Sequence, residues 1–83
     1  MTVEKFVELA INKQLILAGH KIRFKDCYKI ENWYSKYTMT LKQNKVWKKW
    51  FISEYRKRFD RSLISAKKEF LWFDLMYGLR IEN

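Results

Sequence analysis

The chain has 83 residues, 48% hydrophobic and 18% aromatic, and its 18 Lys and Arg against 9 Asp and Glu give a net charge of +9. Its length and apolar content argue against a disordered chain and against a core that needs a metal, while the single cysteine excludes an internal disulfide. We therefore expect one small, basic, helical domain over residues 1–83, with a core of large aromatic side chains.

A first helix is predicted from about residue 2 to residue 18. Apolar residues recur there at three- and four-residue spacing, Thr2 is a suitable N-cap, and Gly19 stands where a helix would end. Leu15 and Ile16 fall off the main apolar stripe, so this helix is expected to contact a second neighbour or another copy of the chain.

The connection over residues 20–40 has two possible interpretations. Apolar and charged residues alternate from Ile22 to Ile30, which favours a short β-hairpin, although no glycine marks its turn. Trp33 and Tyr37 are instead spaced for one face of a helical turn, which favours an irregular connection. Both interpretations remain open at this point.

Two further helices are predicted in the second half of the chain. Thr40 and Gln43 have the spacing of a capping box, and neither glycine nor proline interrupts the stretch 41–59. A third helix, over 63–77, would begin at a serine cap, Ser62 or Ser65, and end at Gly78. The expected fold is a compact, mainly α domain of three helices.

The helix over 41–59 carries the charge pattern that most needs an explanation. Residues 21–59 carry the entire excess of positive charge, whereas the two ends of the chain are neutral. Because each residue of an α-helix is rotated by about 100° from the one before it, four cations of this helix fall within a sector about 60° wide. They are Lys42, Lys45, Lys49 and Arg56, with Lys48 at the border. Cations near the C-terminus of a helix, such as Arg56, interact favourably with the helix dipole, but cations in its first half do not. The positions of Lys42, Lys45 and Lys49 therefore have no such structural explanation and indicate a binding partner.

A localised positive field favours polyanionic partners. We predict a non-enzymatic nucleic-acid-binding accessory protein that contacts phosphates through Lys42, Lys45, Lys48, Lys49 and Arg56. The alternative is a small inhibitor or adaptor, of the kind found in phages, that binds an acidic or nucleic-acid-binding surface of another protein. The composition is typical of proteins from AT-rich genomes, which include those of many phages: Lys, Ile, Asn, Tyr and Phe are frequent, glycine is scarce and proline is absent.

Leu71 and Leu75 lie nearly opposite the apolar face that the third helix should bury. We expect the first helix to cover them; a homodimer contact or a partner's groove is the alternative, and they are candidate protein-interface residues.

Residues for catalysis or metal binding are sparse. His20 and Cys27 are single copies without further ligands or an orienting group, and no glycine-rich phosphate loop is present. We expect no enzymatic activity, no cofactor and no metal. No apolar run approaches the roughly 20 residues of a membrane span, and no secretory signal is evident. A cytoplasmic protein without a membrane partner is expected.

Overall fold

The computed structural model describes residues 1–82, in which three long helices form the framework. Helix α1 spans Val3–Leu17 and is followed by two single-turn helices, α2 (Phe24–Cys27) and α3 (Trp33–Lys36). The long helices α4 (Leu41–Phe59) and α5 (Leu63–Tyr77) complete the order. The predicted mainly α domain with three principal helices is confirmed, with nearly unchanged helix bounds.

Each long helix begins at a hydroxyl cap, as the sequence predicts. Thr2 caps α1 and Ser62 caps α5, each accepting a hydrogen bond from a first-turn backbone N–H. At α4 the Thr40 hydroxyl accepts from the Gln43 N–H at 3.1 Å, and the Gln43 side chain accepts from the Thr40 N–H at 2.8 Å. These caps satisfy donors that a helix cannot satisfy internally, which explains why the bounds were readable.

The predicted hairpin alternative for residues 20–40 is wrong, and the irregular alternative is confirmed. The Phe24 N–H donates to the Asn12 side chain of α1 at 2.8 Å, where α2 begins. Farther along, the imidazole Nε2 of His20 lies 2.7 Å from the Thr38 carbonyl oxygen and donates its proton to it. Long-range hydrogen bonds therefore satisfy backbone groups that a hairpin would have paired across two strands.

The core is centred on Trp47 of α4, whose side chain is fully buried. Its indole N–H donates to the Ala10 carbonyl of α1 at 3.1 Å. Its ring lies 5.2 Å from the ring of Phe70 and 5.7 Å from that of Phe73, both in α5. One residue of the central helix thus contacts both of the other long helices.

Gln14 is a polar residue buried in that core, and it holds the C-terminal segment. Its side-chain nitrogen donates to the Tyr77 carbonyl at 3.0 Å, and its oxygen accepts from the Leu79 N–H at 2.8 Å. Just beyond, Met39 and Ile81 form an isolated parallel bridge. Both the nitrogen and the oxygen of the buried amide are therefore satisfied, and Leu79, which is 3% exposed, packs into the core.

Replacing Gln14 with Met keeps the side-chain volume but removes both hydrogen bonds. We predict a loss of about 2–4 kcal/mol in the free energy of unfolding, because each buried backbone group left unpaired costs about 1–3 kcal/mol. Urea unfolding followed by circular dichroism measures the loss.

Glu8→Met is the matched control, since Glu8 is an exposed residue of the same helix. It should change the unfolding free energy by no more than about 0.5 kcal/mol. A Gln14→Met variant as stable as this control would contradict the role assigned to Gln14.

Candidate functional site

Helix α4 has one buried face and one basic face. Trp47 and Phe51 are fully buried, and they lie about 180° around the helix from the centre of the cationic sector. The residues of that sector, which we call the basic stripe, are Lys42, Lys45, Lys49 and Arg56, and all four are exposed. Packing of the aromatic face therefore directs the stripe toward solvent, as predicted.

The basic stripe has no internal counterion among residues 1–82. The described ion pairs join Glu54 to Lys57 at 3.6 Å, Glu54 to Arg58 at 2.9 Å, and Arg80 to Glu82 at 3.0 Å. Two cations of the run that ends α4 are thus partly neutralised by Glu54. The positive field of the stripe is therefore not reduced by an ion pair within the described residues.

Arg56 is held in place by a contact across the turn that follows α4. Its Nε–H donates to the Arg61 carbonyl at 3.4 Å, and Asp60 at the turn adopts a left-handed conformation with φ of 50°. The contact leaves the two terminal guanidinium NH₂ groups to bind an oxyanion in bidentate fashion. This long hydrogen bond distinguishes Arg56 from the three lysines of the stripe, whose side chains make none within the described residues 1–82.

A groove of about 580 Å³ runs along the C-terminal half of the stripe. Its lining residues are Lys49, Ile52, Ser53, Arg56, Lys57, Asp60, Arg61 and Leu63. The groove joins Lys49 to Arg56 and leaves Lys42 and Lys45 farther along the helix. Lys57 and Arg61 are additions that the sequence prediction did not include as site residues. The short gap between the predicted helices 41–59 and 63–77 was the available signal, because the chain must turn back there beside the last turn of α4.

Lys48, the fifth predicted site residue, is exposed but has a different environment. Its Nζ lies 5.7 Å from the centre of the Phe70 ring, so the Lys48 side chain lies over the contact between α4 and α5. Burial raises the pKa of the nearby Asp74 carboxyl, and the Lys48 charge opposes that rise. Part of the Lys48 charge thus acts within the fold, which distinguishes Lys48 from the four residues of the basic stripe.

Three of the four tryptophans belong to the fold. Trp33 and Trp47 are buried. The half-buried Trp50 ring is parallel to that of Phe6 at 6.4 Å and has the Lys13 ammonium 5.8 Å from its centre. Their packing against the core leaves these three rings little free surface for stacking on nucleic-acid bases.

Leu71 and Leu75 on α5 are uncovered, with 65% and 84% of their surface exposed. The expectation that the first helix would cover them is wrong. Helix α1 packs mainly against α4 and α2, where the Trp47 indole and the Asn12 amide hold it. A second apolar face therefore remains open on the molecule.

Cys27 and His20, the two residues considered for catalysis, both make contacts that belong to the fold. Burial raises the pKa of the Cys27 thiol, and the Asp26 charge raises it further. The His20 ring is bonded to a backbone carbonyl. Over residues 1–82, no group of three or more His, Cys, Asp or Glu side chains lies close enough together to hold a metal ion.

Comparison with known proteins provides no assignment: no protein-family model matches the chain, and no match was found to a curated protein or to a solved structure. Within the described part of the chain, every helix is too short or too polar to cross a membrane.

The buried Cys27 thiol should be unreactive in the folded protein. We predict that 5,5′-dithiobis(2-nitrobenzoate) modifies it more than about 100-fold more slowly in buffer than in urea at the same pH, because the reagent needs an accessible thiolate. Release of the coloured thiolate product measures both rates. Equal rates would mean that Cys27 is accessible and that this part of the core is open.

Proposed function

We propose that the protein is a non-enzymatic nucleic-acid-binding accessory protein that contacts the phosphate backbone through the basic stripe and Lys48. The groove residues Lys57 and Arg61 extend this contact toward α5. The proposed setting is the cytoplasm, where a single unpaired cysteine is expected to stay reduced. The partner is DNA or RNA, and binding requires no metal or cofactor.

The observation that carries the proposal is an uncompensated row of cations on a rigid helix. From Lys42 to Arg56 the stripe extends about 21 Å along the axis, a length that reaches several consecutive phosphates. The buried face below it fixes the helix, so little ordering of the backbone is needed on binding. Counterion release from the nucleic acid would then supply most of the binding free energy.

Contact with the backbone also accounts for the scarcity of groups that could read bases. Of the two uncharged polar residues nearest the stripe, Asn44 is half-buried and its amide donates to the Met39 sulfur at 3.8 Å. Ser53 remains exposed in the groove. One hydroxyl gives little discrimination between base pairs, so we expect binding with weak sequence preference.

The proposal predicts a steep salt dependence. Neutralisation of four to five phosphates should give a log–log slope of the association constant against salt of about −3.5 to −4.5 on duplex DNA. Fluorescence anisotropy with labelled DNA and RNA duplexes of mixed sequence measures it. Absence of binding at low salt, or a slope near zero, would contradict the proposal.

Charge reversal within the stripe should abolish most of this affinity. Lys42→Glu with Lys49→Glu is expected to weaken binding at low salt by more than about tenfold and to flatten the slope by about two. The matched control is Lys5→Glu with Lys29→Glu, which reaches the same net charge with two exposed lysines outside α4. If both pairs of substitutions weaken binding equally, the interaction depends on net charge and not on the stripe.

A protein with an acidic surface is the second candidate partner, and the composition of the groove favours it. Ile52 and Leu63 provide apolar surface between the cations of the groove. A peptide side chain could bury against that surface, whereas a phosphate could not. Affinity purification after nuclease treatment separates the candidates, because a stoichiometric protein lost with the Lys42→Glu/Lys49→Glu variant would favour this second function.

A further inference from the structure

The outer face of α5 has the residue spacing of a helix-pairing seam. Ile64, Lys68, Leu71 and Leu75 follow one another at intervals of four, three and four residues, which is the spacing of core positions in a coiled coil. The apolar members are 69%, 65% and 84% exposed, and Lys68 is exposed too. The seam lies on the side of α5 opposite the buried Phe70 and Phe73, so it is a separate surface from the core.

The exposed area agrees with what a weak dimer needs. Together with Trp72 and Met76, which are 50% and 51% exposed, the apolar seam residues present surface on the order of 600 Å². Two such faces would bury at most about 1,200 Å², the lower end of specific protein interfaces, and less where Met76, about 110° around the helix from the centre of the seam, stays outside the contact. This area is also at the upper limit of apolar patches on monomers, which argues that the face is covered in use.

The charges beside the seam select the direction in which two copies would pair. Lys67 and Asp74 lie about 20° apart around the helix, on the same flank of the seam. In an antiparallel pair related by a two-fold axis, the same flank of the seam in both copies lies on the same side of the contact. Lys67 of one copy is thereby placed near Asp74 of the second copy. A parallel pair would instead place Lys68 against Lys68 of the second copy, which is repulsive.

Asp74 has the environment expected of the acidic member of such a pair. Its carboxylate is half-buried and accepts no hydrogen bond within the described residues 1–82. Within the monomer the Lys48 charge already lowers the pKa of this carboxyl against the effect of burial, and the opposing Lys67 ammonium would add the hydrogen-bond donor that the monomer does not supply.

We propose that two copies of this chain form an antiparallel, two-fold symmetric dimer through the Ile64, Lys68, Leu71 and Leu75 seam of α5. The inference does not depend on nucleic-acid binding, because α4 and its stripe are not part of the contact. Because each copy carries a net charge of +9, added salt screens repulsion between them and strengthens the dimer. Salt thus acts in the opposite direction from its effect on a phosphate contact.

Sedimentation velocity over roughly 1 to 300 μM protein tests the dimer, since interfaces of this size are commonly micromolar. We expect a concentration-dependent dimer whose dissociation constant falls as salt rises. Leu71→Asp should raise that constant more than about tenfold, because it places a charge in the seam. Val3→Asp is the matched control: Val3 lies on α1 and is 59% exposed, close to the 65% of Leu71, and its replacement should leave the dimer intact.

Two charge variants test the seam without removing an apolar residue. Lys68→Leu should tighten the dimer by about tenfold or more, because it replaces the one charged core position, and Lys67→Glu should weaken it by repulsion from Asp74. Circular dichroism confirms that each variant is folded. A protein that stays monomeric throughout, even as Lys68→Leu, or a dimer that Leu71→Asp leaves unchanged, would overturn the proposal. Binding of a different protein to this face of a monomer would overturn it as well.

Discussion

The indole of Trp47 fixes the rotation of α4, and the basic surface depends on that rotation. Its N–H bond to the Ala10 carbonyl and its contacts with Phe70 and Phe73 anchor one side of the helix between its two long neighbours. A helix rotated by about 100° would bury a lysine, and burial of an unpaired charge is too costly to be tolerated. The cations face solvent because the aromatic side chains opposite them are completely packed.

Local signals in the sequence were sufficient to predict where the long helices begin and end. The Thr40–Gln43 capping box and the uninterrupted stretch after it predicted the bounds of α4, and its residue spacing predicted the exposed stripe. The buried Gln14 was missed because its partners, the backbone groups of Tyr77 and Leu79, are more than 60 residues away in sequence. It follows Ala10 by one helical turn, and this spacing was the signal that could have identified it as a residue of the core face.

Long-range contacts explain the remaining differences. The alternating pattern before Ile30 resembled strands, but the Asn12 side chain accepts the Phe24 N–H and the chain forms a helical turn instead. The wrong prediction that α1 covers Leu71 and Leu75 has a related cause. The residue spacing on α5 identifies a second apolar face, but it does not identify the neighbour that would cover that face. With α1 held against α4, the seam stays open while the stripe occupies a different helix, so each surface can be altered alone.

The proposed function requires that a polyanion bind on the solvent face of α4. A titration of isotope-labelled protein with a short mixed-sequence duplex, followed by amide and side-chain NMR shifts at low salt, tests it most directly. We expect the largest shifts at Lys42, Lys49 and Arg56, with Lys5 of α1 unchanged and the α4 shifts reversed by added salt. Largest shifts on α1 or α2, or no shifts at all, would contradict it.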